Sequence, residues 1–498
     1  MQLVHWLKGA CGAFSGMKRG DSVGGGLRGP GKKARFLPAC SVLRGAFSGM
    51  KRGDSIGGGL RGRGKKAGFL PACRVLRGAF SGTKRGDSVG GGLRGPGKKA
   101  GFLAACRLSG FGRWGKVLAL LCVAGAPAIA DVLPDDRADV LYHNYNGGGI
   151  TIQGPSVLVR KKVGDSLSFT GNYYEDLISS ASIDVKLSAS PYHETRKQES
   201  GSVDYLHGKT IYTAGYIHSR EPDYKSDTAY FSISQSMFGD LTTVSMGYRR
   251  GWDNVYRDVK DAVTHQIVND PNFHQRADHR GYSVSVSQIL TRNAILDVNF
   301  EAITDQGYLA SPYRKIRYLD PTVAGKGFTL ADQIYPNTHT STATSAQFKY
   351  YLPWHAAVTG QYRFYNDTWG ISGHTIEVDY THPWRKFIFD GSLRYYLQNA
   401  ANFYSDLFPR ANYQNFMARD RELAAFHSIA VGFGGEYDFD FPWIRKKSSL
   451  NLRYNHLLIN YSDFRNALLD NGTTYTAGTE PLYKLNANVL QLFWSLWF

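Results

Sequence analysis

One pattern limits this chain more than any other. After residue 130, apolar and polar residues alternate with period two, in runs of about ten. In 386–398, Phe387, Phe389, Leu393, Tyr395 and Leu397 share one face, and Asp390, Ser392, Arg394 and Gln398 share the other. In 373–382, Ile376, Val378 and Tyr380 oppose Thr375, Glu377 and Asp379. The same holds in 354–367 (Ala356, Val358, Tyr362, Phe364) and in 448–461 (Leu450, Leu452, Tyr454, Leu458). A helix cannot sort residues this way, whereas successive side chains of a strand point to opposite faces. The pattern predicts sixteen strands, with fourteen as the lower bound: 138–146, 150–162, 166–177, 197–205, 209–219, 224–236, 240–252, 280–290, 294–304, 340–351, 354–367, 373–382, 386–398, 424–438, 448–461 and 485–498.

The connections sort by length. Tight turns fall at Val163–Asp165, around Gly208, at Phe238–Asp240, Leu290–Asn293, Leu352–His355 and Pro383–Lys386, with a longer one at 440–447. The intervening connections are generally longer, notably 178–196, 253–279, 305–339, 399–423 and 462–484. Short turns at one end and long loops at the other are the plan of a transmembrane barrel, with the short turns periplasmic. In lipid every backbone N–H and C=O must be paired inside the protein, so strands span only as a closed barrel. The segment after residue 130 holds 31 Tyr, 20 Phe and 7 Trp, and Trp354, Trp384 and Trp443 lie beside short turns, where an interfacial girdle belongs. No apolar run there is long enough for a transmembrane helix. The expected fold is all-β, a transmembrane antiparallel β-barrel over 131–498.

The first 130 residues differ in kind. They carry 24 Lys and Arg against 3 acidic residues, a net of +21; the remaining 35 and 38 give the rest a net of −3. The overall +18 therefore belongs to a leader and supports no nucleic-acid partner. Gly/Arg/Lys-rich repeats occupy 1–107, with "GAFSG" beginning at Gly12, Gly45 and Gly78, a period of 33 residues. Their composition cannot bury a core, and the expectation is a disordered segment or upstream translation. The G-x-G-x-x-G match at Gly24–Gly29 lacks the strand and helix a dinucleotide site needs. Residues 108–130 read as a secretory signal peptide: Arg113 and Lys116, then apolar Val117–Ala126, then Ala128-Ile129-Ala130. Cleavage is expected near Ala130. All five Cys precede residue 130, so the later segment has no thiol chemistry.

Several blocks resemble the uncharacterised bacterial outer-membrane family catalogued as domain of unknown function 3570. They are "GPSVLVRK" at 154–161, "SSASID" at 179–184, "SASPY" at 188–192, "PYRKIRYLDP" at 312–321, "DTWGI" at 367–371, "FYSDLFPR" at 403–410 and "ARDREL" at 418–423. The likeness spans roughly 138–498. It implies an outer-membrane barrel of a Gram-negative bacterium and brings no catalytic residues to carry over.

The residues themselves point to no enzyme. "HETRK" at 193–197 lacks the second His of a zincin helix, and "GYSVS" at 281–285 is not a nucleophile elbow. His427 and Ser428 are adjacent on a strand and face opposite ways. His265, Asp270, His274 and His279 follow no metal-ligand spacing and read as solvated loop residues. No cofactor or metal is expected.

Loops 305–339 and 399–423 carry more information. Arg314, Arg317, Asp320, Arg410, Arg419, Asp420, Arg421 and Glu422 lie among Tyr313, Tyr318, Phe403, Tyr404, Phe408 and Tyr413. Two readings stay open: a constriction or binding site, or a pairing network that merely joins two loops. Inward-facing charges are mixed, with Arg249, Arg363, Arg394 and Arg453 against Glu377, Asp379, Asp390, Glu436 and Asp438. In the last strand, Leu490, Leu492, Trp494 and Leu496 share a face and lead to Phe498, resembling the signal read by the barrel-assembly machinery. Phe493 and Trp497 break the polar face and are expected to pack against a loop. The expected function is a pore for small solutes, with a scaffold for a periplasmic or surface protein as the alternative. The other expected partners are outer-membrane lipids and the assembly machinery.

Overall fold

The computed structural model describes residues 132–498 except 181–185, 188–192, 262, 265 and 442–445. The repeats at 1–107, the signal peptide at 108–130, His265 and Trp443 lie outside the described residues. So do most of "SSASID" and all of "SASPY".

Sixteen antiparallel strands close into one barrel. In chain order they begin with β1 (Arg137–Gly147), β2 (Ile150–Val163), β3 (Leu167–Ser180), β4 (His193–His207), β5 (Thr210–Arg220), β6 (Tyr224–Met237), β7 (Thr242–Lys260), β8 (Ile267–Thr291) and β9 (Ala294–Gly307). A separate hairpin follows, β10 (Lys315–Leu319) and β11 (Phe328–Asp332). The barrel resumes with β12 (Thr338–Tyr351), β13 (Ala357–Asp367), β14 (Ser372–Trp384) and β15 (Phe387–Gln398). It ends with β16 (Phe426–Phe441), β17 (Lys446–Arg465) and β18 (Leu482–Trp497). β1 pairs with both β2 and β18, so the ring has no free edge.

The alternation resolves into an outer apolar wall and an inner polar one. Val140, Tyr142, Val157, Phe169, Phe231, Met246, Val284, Phe300, Phe348, Ile376, Val378, Leu393, Leu452 and Leu492 are all exposed on the outside. Such a surface in water would be an aggregation site; against acyl chains it is the favourable one. Trp354 and Trp384 are 56% and 52% exposed at the short-turn end, where the Trp354 indole N–H donates to the Tyr380 hydroxyl at 3.2 Å. Val378→Arg should therefore destabilise the barrel in vesicles by about 2–4 kcal/mol. Glu377→Gln, one residue away but facing inward, should cost less than about 1 kcal/mol. Denaturant unfolding of both variants checks the assignment.

Two expectations change. Residues 253–279 are not a loop, because β7 and β8 run on to Lys260 and from Ile267. Above the apolar wall neither face needs to be hydrophobic, so the alternation fades while the backbone ladder continues. The hairpin β10–β11 falls inside a segment expected to be irregular. The short connections β1–β2, β5–β6 and β13–β14 at the long-loop end fall where the expected strand bounds place them.

Trp497 lies near two cations. Its ring lies 6.0 Å from the Arg137 guanidinium and 5.1 Å from the Lys447 ammonium, on the two neighbouring strands. Cations over the ring face give an aromatic a place on the polar side of the wall.

Candidate functional site: a latched mouth over a charged lumen

Three loops, 308–337, 399–425 and 466–481, fold together at the long-loop end. Four arginines (Arg314, Arg317, Arg419, Arg421) meet four carboxylates (Asp406, Asp420, Glu422, Glu480), and these side chains are only 0–9% exposed. Arg317 is the hub. Its guanidinium binds both Glu480 oxygens, donates to Asp406 Oδ2 at 2.5 Å and reaches the Asp406 carbonyl at 3.0 Å. It thereby ties all three loops. Arg419 holds the other Asp406 oxygen at 2.7 Å and stacks 4.6 Å from the Phe464 ring. Arg314 grips Glu422 with two donors at 2.6 and 3.3 Å and lies 3.2 Å from Asp420. The Tyr335 hydroxyl donates to Asp420, and Gln333 donates to the same carboxylate at 2.7 Å.

The charge states follow from these contacts. Burial works against the Arg317 charge, but Glu480 and Asp406 hold its pKa above the usual range. Burial, reinforced by the Asp420 carboxylate, raises Tyr335 well above its ordinary value, so it remains a donor. A fully desolvated, bidentate set of this kind is rigid while complete and costly once one partner is lost.

Apolar packing seats the assembly on the barrel. Tyr335, Trp369 and Phe403 form an edge-to-face trio with centroids 5.2–5.4 Å apart. Tyr145, Ile152, Ile178, Phe426, Ile459 and Val489 line the inner wall near the mouth and are buried against Ala424 and Phe464. The Gln398 amide donates to the Glu422 and Ala424 carbonyls, pinning the end of loop 399–425 to β15.

Two expected members lie outside this network. Arg410 is exposed, beside Tyr413 at 5.7 Å. Asp320 caps its own hairpin turn through Thr322 and Thr329, and those hydrogen bonds lower its pKa. Asp406, Glu480, Tyr335 and Gln333 were missed, since nothing local in the sequence marks a partner 89 or 163 residues away.

Below the mouth, the inward charges fall where the strand pattern put them. Arg249 lies over Gly281, where a Cβ would come within 2.5 Å of the Arg249 Nε, and reaches Glu301 at 2.8 Å. Arg453 approaches Asp390 to 3.7 Å. These four side chains are 15–31% exposed, so this part of the lumen is open to water. Glu377 stands opposite Arg394 on the next strand, and the Arg363 guanidinium lies 5.9 Å from the Tyr365 ring. Glu436 is buried, and Asp438 lies 3.5 Å from Lys447.

Closer to the mouth, the inner wall carries a chain of ion pairs that the sequence reading did not find. Asp253, His279, Asp305, His339 and Asp367 come from β7, β8, β9, β12 and β13 and link in that order at 2.9, 2.7, 2.9 and 3.0 Å. His279 is thus part of the wall, not a solvated loop residue. His274 does remain exposed, stacked on Tyr256 at 4.9 Å, and Asp270 pairs with Arg257 at 2.5 Å. Farther round, Arg196 bridges Asp176 at 3.1 Å and Glu221 at 3.5 Å. Glu194, Glu221 and Asp223 place carboxylate oxygens within 4.8 Å of one another, the one group among the described residues with the donors for a hard cation.

Comparison with known proteins finds distant likenesses. Among solved structures, a bacterial polysaccharide outer membrane secretin is 6% identical, with 74% of this chain and 100% of that one covered at a TM-score of 0.40. CdiB from Acinetobacter baumannii is 8% identical, covering 73% of this chain and 61% of its own at 0.40. OpdK of Pseudomonas aeruginosa, solved with vanillate, is 10% identical, covering 74% and 100% at 0.36. No curated protein matches. A family profile does match, over residues 184–460, more than half of the chain. The chain belongs to the family described as protein of unknown function (DUF3570).

Proposed function

We propose that the protein is a gated pore of the outer membrane for small polar solutes, closed at its extracellular mouth by its own loops. One observation carries this reading: a buried set of four arginines and four carboxylates locks three loops over a lumen that is charged and wet below them. A wet, charged interior suits solutes in transit. A latch made of ion pairs suits a mouth that opens, because its parts are soluble when separated. Salt bridges of both signs line the wall, so the reading assigns no strong preference between anions and cations. It requires no catalytic residue.

Reconstitution into a planar bilayer tests it. The wild type should show discrete conductance steps of low open probability, and urea at sub-denaturing concentration should raise that probability. A barrel that stays silent even after the loops are cut by protease overturns the pore. Stoichiometric co-purification with a periplasmic or surface protein would then favour a scaffold.

A further inference from the structure

The outer wall of β4–β8 changes character just above its aromatic edge. Tyr216, Tyr248, Trp252 and Tyr282 mark that edge and are exposed. In the row above Trp252, Lys197 on β4 pairs with Arg220 on β5, Arg220 with Lys225 on β6, Lys225 with Asn254 on β7, and Asn254 with Arg276 on β8. All four cations are exposed, and they face outward by strand parity. Three of them stand side by side on adjacent strands, about 4.8 Å apart. Like charges directly opposite each other destabilise a sheet.

The nearby carboxylates relieve this only in part: the Arg220 charge acts on Asp227, but without a contact within 4.0 Å. Asp278 is held by Arg250 at 2.7 Å and Arg280 at 3.2 Å. Asp227 takes the Tyr216 hydroxyl and His218, each at 2.6 Å. Glu175, opposite Lys197, takes the Tyr173 hydroxyl at 2.5 Å, and Glu199 lies one row lower, opposite His218. Lys225 lies 5.3 Å from the Tyr256 ring, a contact that leaves its charge unneutralised. Among the described residues none of the four cations has a carboxylate within 4.0 Å; the ion pairs of this region belong to Arg250, Arg257 and Arg280.

We propose that this row binds the phosphate groups of an anionic lipid in the leaflet facing the long loops. The geometry fits that chemistry in three ways. The row lies at headgroup height, directly above the interfacial aromatics. Its spacing lets one phosphate touch two neighbouring cations, and the guanidinium fork matches phosphate oxygens. The next row down still carries Glu199, Asp227 and Asp278, and the one after it Arg250 and Arg280; below these the wall is apolar and exposed, so acyl chains of the same molecule lie against Phe231 and Val284. The site rests on the outer-membrane placement proposed above, and is independent of whether the lumen conducts.

The test is native mass spectrometry of the detergent-solubilised barrel with a phosphorylated glycolipid, with its dephosphorylated form and with inorganic phosphate. The wild type should retain the phosphorylated lipid and neither of the others. The variant Lys197→Gln/Arg220→Gln/Lys225→Gln/Arg276→Gln should bind it at least about tenfold more weakly. A control variant, Lys326→Gln/Arg410→Gln, neutralises exposed loop cations and should bind as the wild type does. Heat-modifiability on gels confirms that each barrel is folded. Equal retention by the quadruple variant overturns the site, and binding of inorganic phosphate without preference for the lipid overturns the lipid assignment. Bilayer conductance of the quadruple variant should match the wild type, which separates failure of this site from failure of the pore.

Discussion

Arg317→Ala will hold the mouth open. Arg317 touches two of the other loops through Asp406 and Glu480, and it is fully buried. Removing it leaves buried Glu480 without its arginine and Asp406 with Arg419 alone. Breaking such a set by deleting one partner costs about 3–5 kcal/mol. That shifts a closed–open balance by roughly a hundred- to several-thousandfold. Planar-bilayer records should pass from rare openings to a steady high conductance, and the three loops should become sensitive to trypsin. Arg317→Lys should fall between, because one point charge cannot serve both carboxylates as a guanidinium fork does. If Arg317→Ala conducts and resists trypsin like the wild type, the loops are a fixed lid and the gate is wrong.

Deleting Phe498 should lower the level of inserted barrel several-fold while leaving secretion intact. The structure makes this prediction discriminating. Phe498 is 38% exposed; its backbone N–H donates to the Asp136 carbonyl at 3.3 Å, and its ring lies 5.0 Å from Lys161. Contacts this light are worth about 1 kcal/mol. Loss of stability therefore cannot account for a large defect, whereas loss of recognition by the assembly machinery can. Refolding from urea into vesicles, where no machinery acts, should be nearly unchanged in the deletion variant. Normal membrane levels of the truncated protein would show that the residue is only a strand end.

The wall of the barrel was legible because lipid imposes a rule on every second residue. Val378 must be apolar and Glu377 need not be, and that contrast repeats along strand after strand. Where the wall leaves the apolar zone the rule lapses. This is why Asp253, His274 and Arg276 read as loop although they sit in the continuous ladder of β7 and β8. The loops were legible in composition only. Arg314, Arg317, Arg419, Asp420, Arg421 and Glu422 were found because Arg and carboxylates cluster locally, but Glu480 joins Arg317 from another loop. The chain from Asp253 to Asp367 needs the register of five strands before any of its links can be seen.

The seam between β1 and β18 has a consequence for how the molecule checks itself. Val140 and Trp494 are register partners 354 positions apart. Until that seam forms, β1 presents bare backbone donors and acceptors that any other strand could capture. The seam can form only if every earlier pairing is correct, since one slipped residue turns a strand's polar face toward lipid. Closure therefore acts as a proofreading step: the last hydrogen bonds made are available only to a chain whose other fifteen pairings are already right.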